Sequence, residues 1–199
     1  LNNIIKSYGN IENAPRIIKG SKDDKTQLFI VMTSDRGLCG GFNSSISKLA
    51  KKKIKELLNT NKAIKIICIG RKGYDQLKGE YENLIVEKFF LSGEPSIDYN
   101  FAEKISNKIL SMYDNEEFET AHIIYSLFIS ALKQKAQIKR IVPVLNNDTD
   151  SEVEKNKEAS IYEYEPEEEE VLNNLVPNNI SIQLFRGLLE NAAGEQGAR

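Results

Sequence analysis

A glycine-rich turn with acidic, basic and thiol side chains is the first candidate for chemistry in this sequence of 199 residues. The stretch TSDRGLCGGFN, residues 33–43, follows the apolar run QLFIVM and precedes a helical pattern. A glycine turn between a strand and a helix can present backbone N–H groups to a phosphate. Arg71 and Lys72 follow the second apolar run, where they could hold the 2′-phosphate of NADP. The first hypothesis is therefore a nucleotide-binding turn.

The spacing of the glycines disfavours that hypothesis. A dinucleotide-binding turn has the spacing G-x-G-x-x-G, whereas these glycines are Gly37, Gly40 and Gly41. No G-x-x-x-x-G-K-[ST] sequence occurs either. We expect Gly37 and Gly40 to supply positive φ angles in a tight turn. Asp35 and Arg36 would then pair with each other or cap the turn, and NADP binding is kept as an alternative.

Other catalytic arrangements have less support in the sequence. His122 is the only histidine and lies in an alternating strand pattern, which is typical of a core or edge residue. Cys39, near a predicted helix start, could have a lowered pKa, but a Cys–His enzyme would need His122 as its base. Neither Cys39 nor Cys68 belongs to a CxxC or Cys/His cluster, and no G-x-S-x-G sequence occurs. We therefore predict no active site, cofactor or metal.

The charge of the chain is small overall but unevenly distributed. The net charge of −2 gives no electrostatic support for binding nucleic acid. Residues 146–170 contain eleven acidic residues and two lysines, which leaves the remainder with a net charge of +7. Such a segment is typical of a solvated loop, and the alternative is contact with a charged partner, as in an adaptor domain. Two cysteines fit a reducing compartment, and no apolar run reaches transmembrane length.

Alternating strand and helix patterns predict an open α/β domain. The early strands are almost wholly apolar, which indicates a mostly parallel sheet covered by helices on both faces. No helix separates the last two strands, so we expect an antiparallel hairpin at one edge. Strands are predicted at residues 27–32, 63–70, 83–90, 120–130 and 137–145, and helices at residues 45–58, 71–78 and 98–114.

Two further features concern helix ends. Asn43 is predicted to cap the first long helix, because its side-chain oxygen can accept an orphan backbone N–H. Pro166 is predicted to start a helix with four glutamates in its first turn, which favours the helix dipole. A final helix, residues 175–199, contains small residues that would let a second helix approach closely. These are Ala192, Ala193, Gly194, Gly197 and Ala198.

Three motifs resemble one protein family. The turn resembles the T/S-S-D-R/K-G-L-C-G-x-[FYL]-N signature of the gamma subunits of F-type ATP synthases. Residues 190–199 resemble the E-S/N-x-A-S-E-x-x-A-R motif of that family's C-terminal helix, although Gly194 and Gly197 replace the usual Ser and Ala. The sequence YEYEP, residues 162–166, matches an aromatic and acidic patch. The residues that match the first signature are Thr33, Ser34, Asp35, Arg36, Gly37, Cys39, Gly40, Gly41 and Asn43.

The resemblance implies a Rossmann-like α/β domain that binds no dinucleotide, beside an antiparallel coiled coil made by the two chain ends. Residues 1–14 would be the end of the N-terminal helix of the coiled coil. Residues 15–165 would be the globular domain, with a flexible acidic loop at about residues 146–160. Residues 166–199 would begin the C-terminal helix. The sequence is therefore expected to be a fragment of the shaft.

The resemblance also implies a function. The chain would be the central rotor shaft, not catalytic by itself, with the alpha, beta and epsilon subunits and the membrane ring as partners. Glu195, Gln196 and Arg199 would contact loops of the beta subunits, and the alternative is an i,i+4 pair between Glu195 and Arg199. Tyr162 and Glu165 would face the membrane ring, and the alternative is an exposed turn. The expected location is peripheral, at the cytoplasmic face of a bacterial plasma membrane or the matrix side of the mitochondrial inner membrane.

Overall fold

The computed structural model describes residues 15–21, 23–93, 97–144 and 167–199. The predicted N-terminal helix segment and the acidic loop lie outside these residues, as do Tyr162, Glu165 and Pro166. The predictions made for them stay predictions. Among the described residues, no helix is both long enough and apolar enough to span a bilayer.

Five strands form one sheet in the spatial order β3-β2-β1-β4-β5. They are β1 (Thr26–Met32), β2 (Ala63–Ile69), β3 (Ile85–Phe89), β4 (Thr120–Ser130) and β5 (Lys133–Val142). Strand β1 pairs in parallel with β2 and β4, and β2 pairs in parallel with β3. Strands β4 and β5 form an antiparallel hairpin at one edge. The predictions of a mostly parallel sheet and of an edge hairpin are confirmed.

Five α-helices accompany the sheet in the described part of the chain. They are α1 (Arg16–Lys19), α2 (Phe42–Leu58), α3 (Arg71–Tyr81), α4 (Tyr99–Asp114) and α5 (Glu167–Ala198), with short 3-10 turns at Glu82–Leu84 and Leu91–Gly93. Helix α5 continues through Pro177 without interruption. The long final helix is therefore longer than residues 175–199, and it includes the glutamates that follow Pro166.

The core has two layers because successive residues of a strand point to opposite faces of the sheet. Leu28, Ile30 and Met32 of β1 pack in the apolar layer that α4 and α5 cover. Phe29 and Val31 pack in the opposite layer, under α2 and α3. All five of these side chains are fully buried. This explains why β1 is a continuous apolar run and does not alternate.

Small residues of α5 allow it to lie close to the sheet and its hairpin. A Cβ atom on Gly187 would lie 3.2 Å from Met32 Sδ, and one on Gly194 would lie 3.0 Å from Phe42 Cε2. A Cβ atom on Gly197 would lie 2.9 Å from the carbonyl oxygen of Ala131. Within the described residues, Gly187 faces β1 and β4, whereas Gly194 and Gly197 face α2 and the hairpin. The small residues of α5 were expected to admit a second helix, and the segment expected to supply it, residues 1–14, lies outside the described residues, so this stays a prediction.

The carboxyl ends of β1 and β2 are joined by an unusually close contact. Gly70, directly after β2, has a φ of +90°, and a Cβ atom there would lie 2.1 Å from the carbonyl oxygen of Thr33. Only glycine accommodates both this angle and this approach. The contact sets the position of α3, which begins at Arg71.

Replacing Gly70 with alanine is therefore expected to lower the free energy of unfolding by more than about 3 kcal/mol, through backbone strain and overlap. Gly79, in the exposed part of α3 with no atom within 4 Å of its Cβ position, is the matched control. Gly79→Ala should raise stability by up to about 1 kcal/mol, because alanine is the better helix former. Urea unfolding of both variants measures the difference, and equal effects would contradict the close-contact argument.

Candidate functional site: the turn and the end of the last helix

Thr33 and Asp35 of the turn hold the start of α3. Thr33 Oγ1 accepts a hydrogen bond from the backbone N–H of Gly73 at 2.7 Å. The two carboxylate oxygens of Asp35 accept from the backbone N–H groups of Arg71 at 2.7 Å and Ser92 at 2.6 Å. Asp35 was expected to pair with Arg36 or to cap the turn, whereas its carboxylate bonds to backbone N–H groups beyond the turn, at the start of α3. It also ties the turn to the loop after β3.

The electrostatics of Asp35 reflect these bonds. Partial burial acts to raise the pKa of its carboxyl group, but the hydrogen bonds from Ser92, Arg71 and Leu91 outweigh burial. The resulting pKa lies below the ordinary value of 3.8. Asp35 is consequently ionised at neutral pH, which suits a carboxylate that opposes the positive end of the α3 dipole.

Asn43 points inward and holds the turn together. Its Oδ1 accepts from the backbone N–H of Ser34 at 2.9 Å, and its Nδ2 donates to Ser34 Oγ at 2.9 Å. The same Nδ2 group lies 3.1 Å from Cys39 Sγ and 3.3 Å from the carbonyl oxygen of Arg36. The prediction that Asn43 caps α2 is wrong, because α2 begins at Phe42 after Gly41 and has no side-chain cap. The amide is directed instead to the buried polar atoms of the preceding turn.

Leu38 is the most unusual residue of the turn. Its φ is +61° and its side chain is 97 % exposed. A positive φ is an outlier for a bulky residue, and an exposed leucine gains no burial free energy in the isolated chain.

Gly40, with a φ of +52°, has the left-handed conformation that we expected. The same expectation for Gly37 is wrong, because the left-handed conformation falls on Leu38.

A cleft of about 330 Å³ connects the turn to the end of α5. On the α5 side Arg199 Nη2 donates to Glu195 Oε1 at 2.8 Å, one helical turn away. The intrahelical alternative for this pair is therefore present, and it leaves the predicted contact with a beta subunit untested. The cleft is lined by Asp35, Arg36, Leu91, Ser92, Ile97, Glu195, Gln196 and Arg199. Sequence reasoning selected both sets of residues but missed that they share one cleft, because no local signal joins residues so distant in the chain.

Comparison with known proteins identifies the family. A family model described as ATP synthase matches residues 1–199. The chain is 43 % identical to the ATP synthase gamma chain of Pelagibacter ubique, over 100 % of this chain and 68 % of that relative. It is 40 % identical to the gamma chain of Sinorhizobium medicae, over 100 % of this chain and 67 % of the relative. The chain belongs to the ATP synthase gamma chain family.

Solved structures confirm the fold of this gamma chain. A chain in the central stalk and c-ring structure of the Tetrahymena thermophila mitochondrial ATP synthase is similar to this chain, with a TM-score of 0.73 and 19 % sequence identity. The match covers 99 % of this chain and 81 % of that one. A rotor structure from Euglena gracilis gives a TM-score of 0.60 at 15 % identity, with coverage of 99 % and 78 %. The Rossmann-like prediction is thus confirmed. The gamma-chain relatives also confirm the prediction of a central shaft subunit and do not favour the NADP alternative.

The geometry explains why the gamma-chain turn is poorly suited to a nucleotide. Thr33 and Asp35 already occupy the N-terminal end of α3, where Arg71 and Lys72 would have to hold the 2′-phosphate of NADP. The guanidinium of Arg71 lies 4.6 Å from the centre of the Phe90 ring, stacked on the protein surface. Helix α5 covers the point between β1 and β4 where such sheets normally bind ligands.

Cys39, Cys68 and His122 do not form a reactive cluster. Both cysteines are buried, and burial raises the pKa of the Cys68 thiol to about 12. His122 lies opposite Phe29 in the middle of the sheet, whereas Cys39 lies beyond the end of β1. In the described ranges no group of three or more His, Cys, Asp or Glu side chains is arranged for a metal ion. The interpretation of His122 as a structural residue agrees with its position.

The buried amide of Asn43 should dominate the stability of the turn. Asn43→Ala leaves the backbone N–H of Ser34 without its acceptor, and we expect a loss of about 2–3 kcal/mol in unfolding free energy. Ser45→Ala is the control in the same helical turn, because the Ser45 hydroxyl is exposed and bonds only the carbonyl oxygen of Gly41. Its effect should stay within about 0.5 kcal/mol. Chemical denaturation measures both, and a small loss for Asn43→Ala would show that the network is not essential.

His122 should make the stability of the domain fall between pH 6.5 and 4. Burial, and secondarily the charge of Arg140, lowers the pKa of His122 from 6.5 to about 4. In that window the unfolded chain binds a proton that the folded chain does not, so acidification favours unfolding by up to about 3 kcal/mol. Contributions from Asp24 and Asp35, whose pKa values lie below 3.8, are lost only at lower pH.

The variant His122→Phe keeps an aromatic ring beside Phe29, 5.5 Å away in the native structure, and removes the titration. Urea unfolding at pH 7.5, 5.5 and 4.5 should show a steeper fall for the native chain than for the variant. Parallel pH profiles for the two chains would show that His122 has no such effect.

Proposed function

We propose that this gamma chain transmits torque between a membrane ring of subunits and a hexamer of alpha and beta subunits, and that it performs no bond chemistry itself. The observation that carries the proposal is the shared cleft, which places the turn of the globular domain and the end of α5 on one surface. A partner that contacts this surface touches the helix and the domain at once.

Rigid attachment of the last helix to the domain supports torque transmission. A Cβ atom on Gly194 or Gly197 would lie 3.0 Å or less from Phe42 of α2 or Ala131 of the hairpin, so the backbone of α5 lies closely against both elements. Leu184 and Leu188 of α5 are buried in the core layer beneath. Dense packing of this kind transmits displacement instead of absorbing it.

The residues proposed to contact the beta subunits are Arg36, Glu195, Gln196 and Arg199. Arg36 is exposed, and Arg199 makes an ion pair with Glu195 that lies at the surface of the same cleft. A carboxylate on a partner could form a bidentate pair with Arg199 in place of Glu195. Leu38, exposed beside Arg36, adds an apolar contact that would explain its exposure.

An asymmetric surface of this kind satisfies the physical requirement of a rotary mechanism. A shaft shifts the conformations of surrounding subunits only if it binds each conformation with a different free energy. One charged and apolar face, presented in turn to three beta subunits, supplies such a difference. Further proposed partners are the alpha and epsilon subunits, with Tyr162 and Glu165 facing the ring. The proposed location is peripheral, at the cytoplasmic face of a bacterial plasma membrane or, alternatively, on the matrix side of the mitochondrial inner membrane.

Affinity purification of the full-length subunit from detergent-solubilised membranes of its source tests the assembly. We expect alpha, beta, epsilon and ring subunits to be recovered with it in a fixed ratio, as measured by quantitative mass spectrometry. Recovery of the subunit without them would overturn the proposal. An NADPH fluorescence titration of the same preparation would then test the NADP alternative.

Arg199 should matter to coupling, whereas a similar arginine on the same helix should not. Arg199→Gln removes the charge-assisted bond to a beta carboxylate, so proton-driven ATP synthesis by the assembled complex should fall about tenfold. Arg186→Gln is the matched control, because Arg186 makes the same i,i+4 pair with Glu190 at 2.9 Å but lies away from the cleft. Its rate should stay within about twofold. Equal losses in the two variants, at unchanged subunit ratio, would contradict the proposed contact.

A further inference from the structure

A surface formed by α3 and β3 carries a stripe of cations stacked on aromatic rings. The rings of Tyr74 and Phe90 lie 6.1 Å apart, edge to face. Lys88 Nζ lies 4.8 Å from the centre of the Tyr74 ring and 6.0 Å from that of Phe90. Lys78 and Arg71 extend the stripe at its two ends, 5.2 Å from Tyr74 and 4.6 Å from Phe90 respectively. We call this set, together with Lys72, the cation–aromatic stripe.

The positive charge of the stripe is largely uncompensated. Among the ion pairs of the described residues, only one involves the stripe, between Lys78 Nζ and Asp75 Oδ1 at 2.8 Å. The pKa of Asp75 is lowered first by the hydrogen bond from Lys78 and also by the nearby charges of Lys72 and Arg71. One bonded carboxylate therefore lies within the field of several cations, and Lys88 and Arg71 are exposed.

Two lysines of α2 differ in this respect. Lys51 is paired with Glu80, and Lys53 with Glu56 at 3.5 Å. In the cation–aromatic stripe, Arg71 and Lys88 lie over ring faces, and neither takes part in an ion pair among the described residues. Because these cations are already held in place, binding of an anionic partner costs less side-chain entropy.

The geometry favours a chain of carboxylates over stacked bases. The ring faces are already covered by Lys78, Lys88 and Arg71, so they are not open for base stacking. The stripe runs beside β3, the edge strand of the sheet, where Val86 is 40 % exposed. Because β3 is an edge strand, an extended segment can lie along it beside the cations.

We propose that the cation–aromatic stripe is a docking surface for an extended acidic segment of a partner protein. Carboxylates of that segment pair with Arg71, Lys72 and Lys88, while its backbone follows the β3 edge. The interaction is distinct from the cleft and from torque transmission. It uses charge complementarity and a pre-positioned set of donors.

The test uses the full-length subunit and a fluorescein-labelled peptide of twelve glutamates, with binding followed by fluorescence anisotropy at 50 and 200 mM NaCl. We expect saturable binding that weakens with salt. The double variant Arg71→Gln/Lys88→Gln should bind at least tenfold more weakly. The matched control Lys48→Gln/Lys52→Gln removes two exposed cations from α2 and should change the affinity less than twofold.

Lys88→Gln alone is a second variant in case the double variant does not fold, since Lys88 is an exposed strand residue, and it should weaken binding about threefold. Circular dichroism checks the fold of each variant. Equal weakening in the α2 control, or the absence of saturable binding, would overturn the proposal. Equally tight binding of a twelve-nucleotide oligo(dT) probe would also overturn it, in favour of a nucleic-acid surface. None of these outcomes depends on assembly of the rotor.

Discussion

The close contact between Thr33 and the segment from Gly70 to Gly73 is the constraint on which the rest of this domain depends. A Cβ atom at Gly70 would lie 2.1 Å from the Thr33 carbonyl oxygen, and the Thr33 hydroxyl binds the N–H of Gly73. The carboxyl ends of β1 and β2 are thus locked to the start of α3. Once this junction is formed, Asp35 can reach the N–H groups of Arg71 and Ser92, and the chain must turn sharply before α2 begins.

The same junction distinguishes this chain from nucleotide-binding proteins that have an open α/β sheet. In an open α/β sheet, backbone N–H groups at helix starts beyond the strand ends are available to a phosphate. Here side chains of the turn use those groups at the start of α3, and α5 covers the neighbouring space. Backbone groups that could bind a ligand instead form hydrogen bonds within the protein. This makes the domain more rigid and less suited to binding a small molecule. For a shaft that must transfer force, this exchange is consistent with the proposed function.

Much of the fold could be predicted from local patterns, because burial on both faces makes β1 and β2 uniformly apolar and the β4–β5 connection is too short for a helix. The family signature located the turn in the sequence, but the roles of its residues depend on contacts with residues that are distant in the chain. Asn43 has the sequence of a helix cap, yet the buried N–H of Ser34 competes for its amide. Gly37 was expected at positive φ, whereas Leu38 takes that conformation. The cleft could not be predicted, because Arg36 and Arg199 meet only through the packing of α5 on the sheet.

The interior hydrogen bonds and the surface ion pairs differ in strength, and each suits a different part of a rotor's function. Buried bonds such as those of Asn43 cost about 1–3 kcal/mol each to break, so the turn keeps one arrangement in most molecules. A partly exposed pair within one helical turn, such as Arg199 with Glu195, contributes only about 1 kcal/mol, so a well-placed carboxylate on a partner can replace Glu195 with little loss. Exchange of this kind lets the same face bind successive conformations with different free energies while the domain beneath it does not change. A gamma chain with its strong bonds inside and its weak ion pairs at the cleft is therefore suited to differential contact.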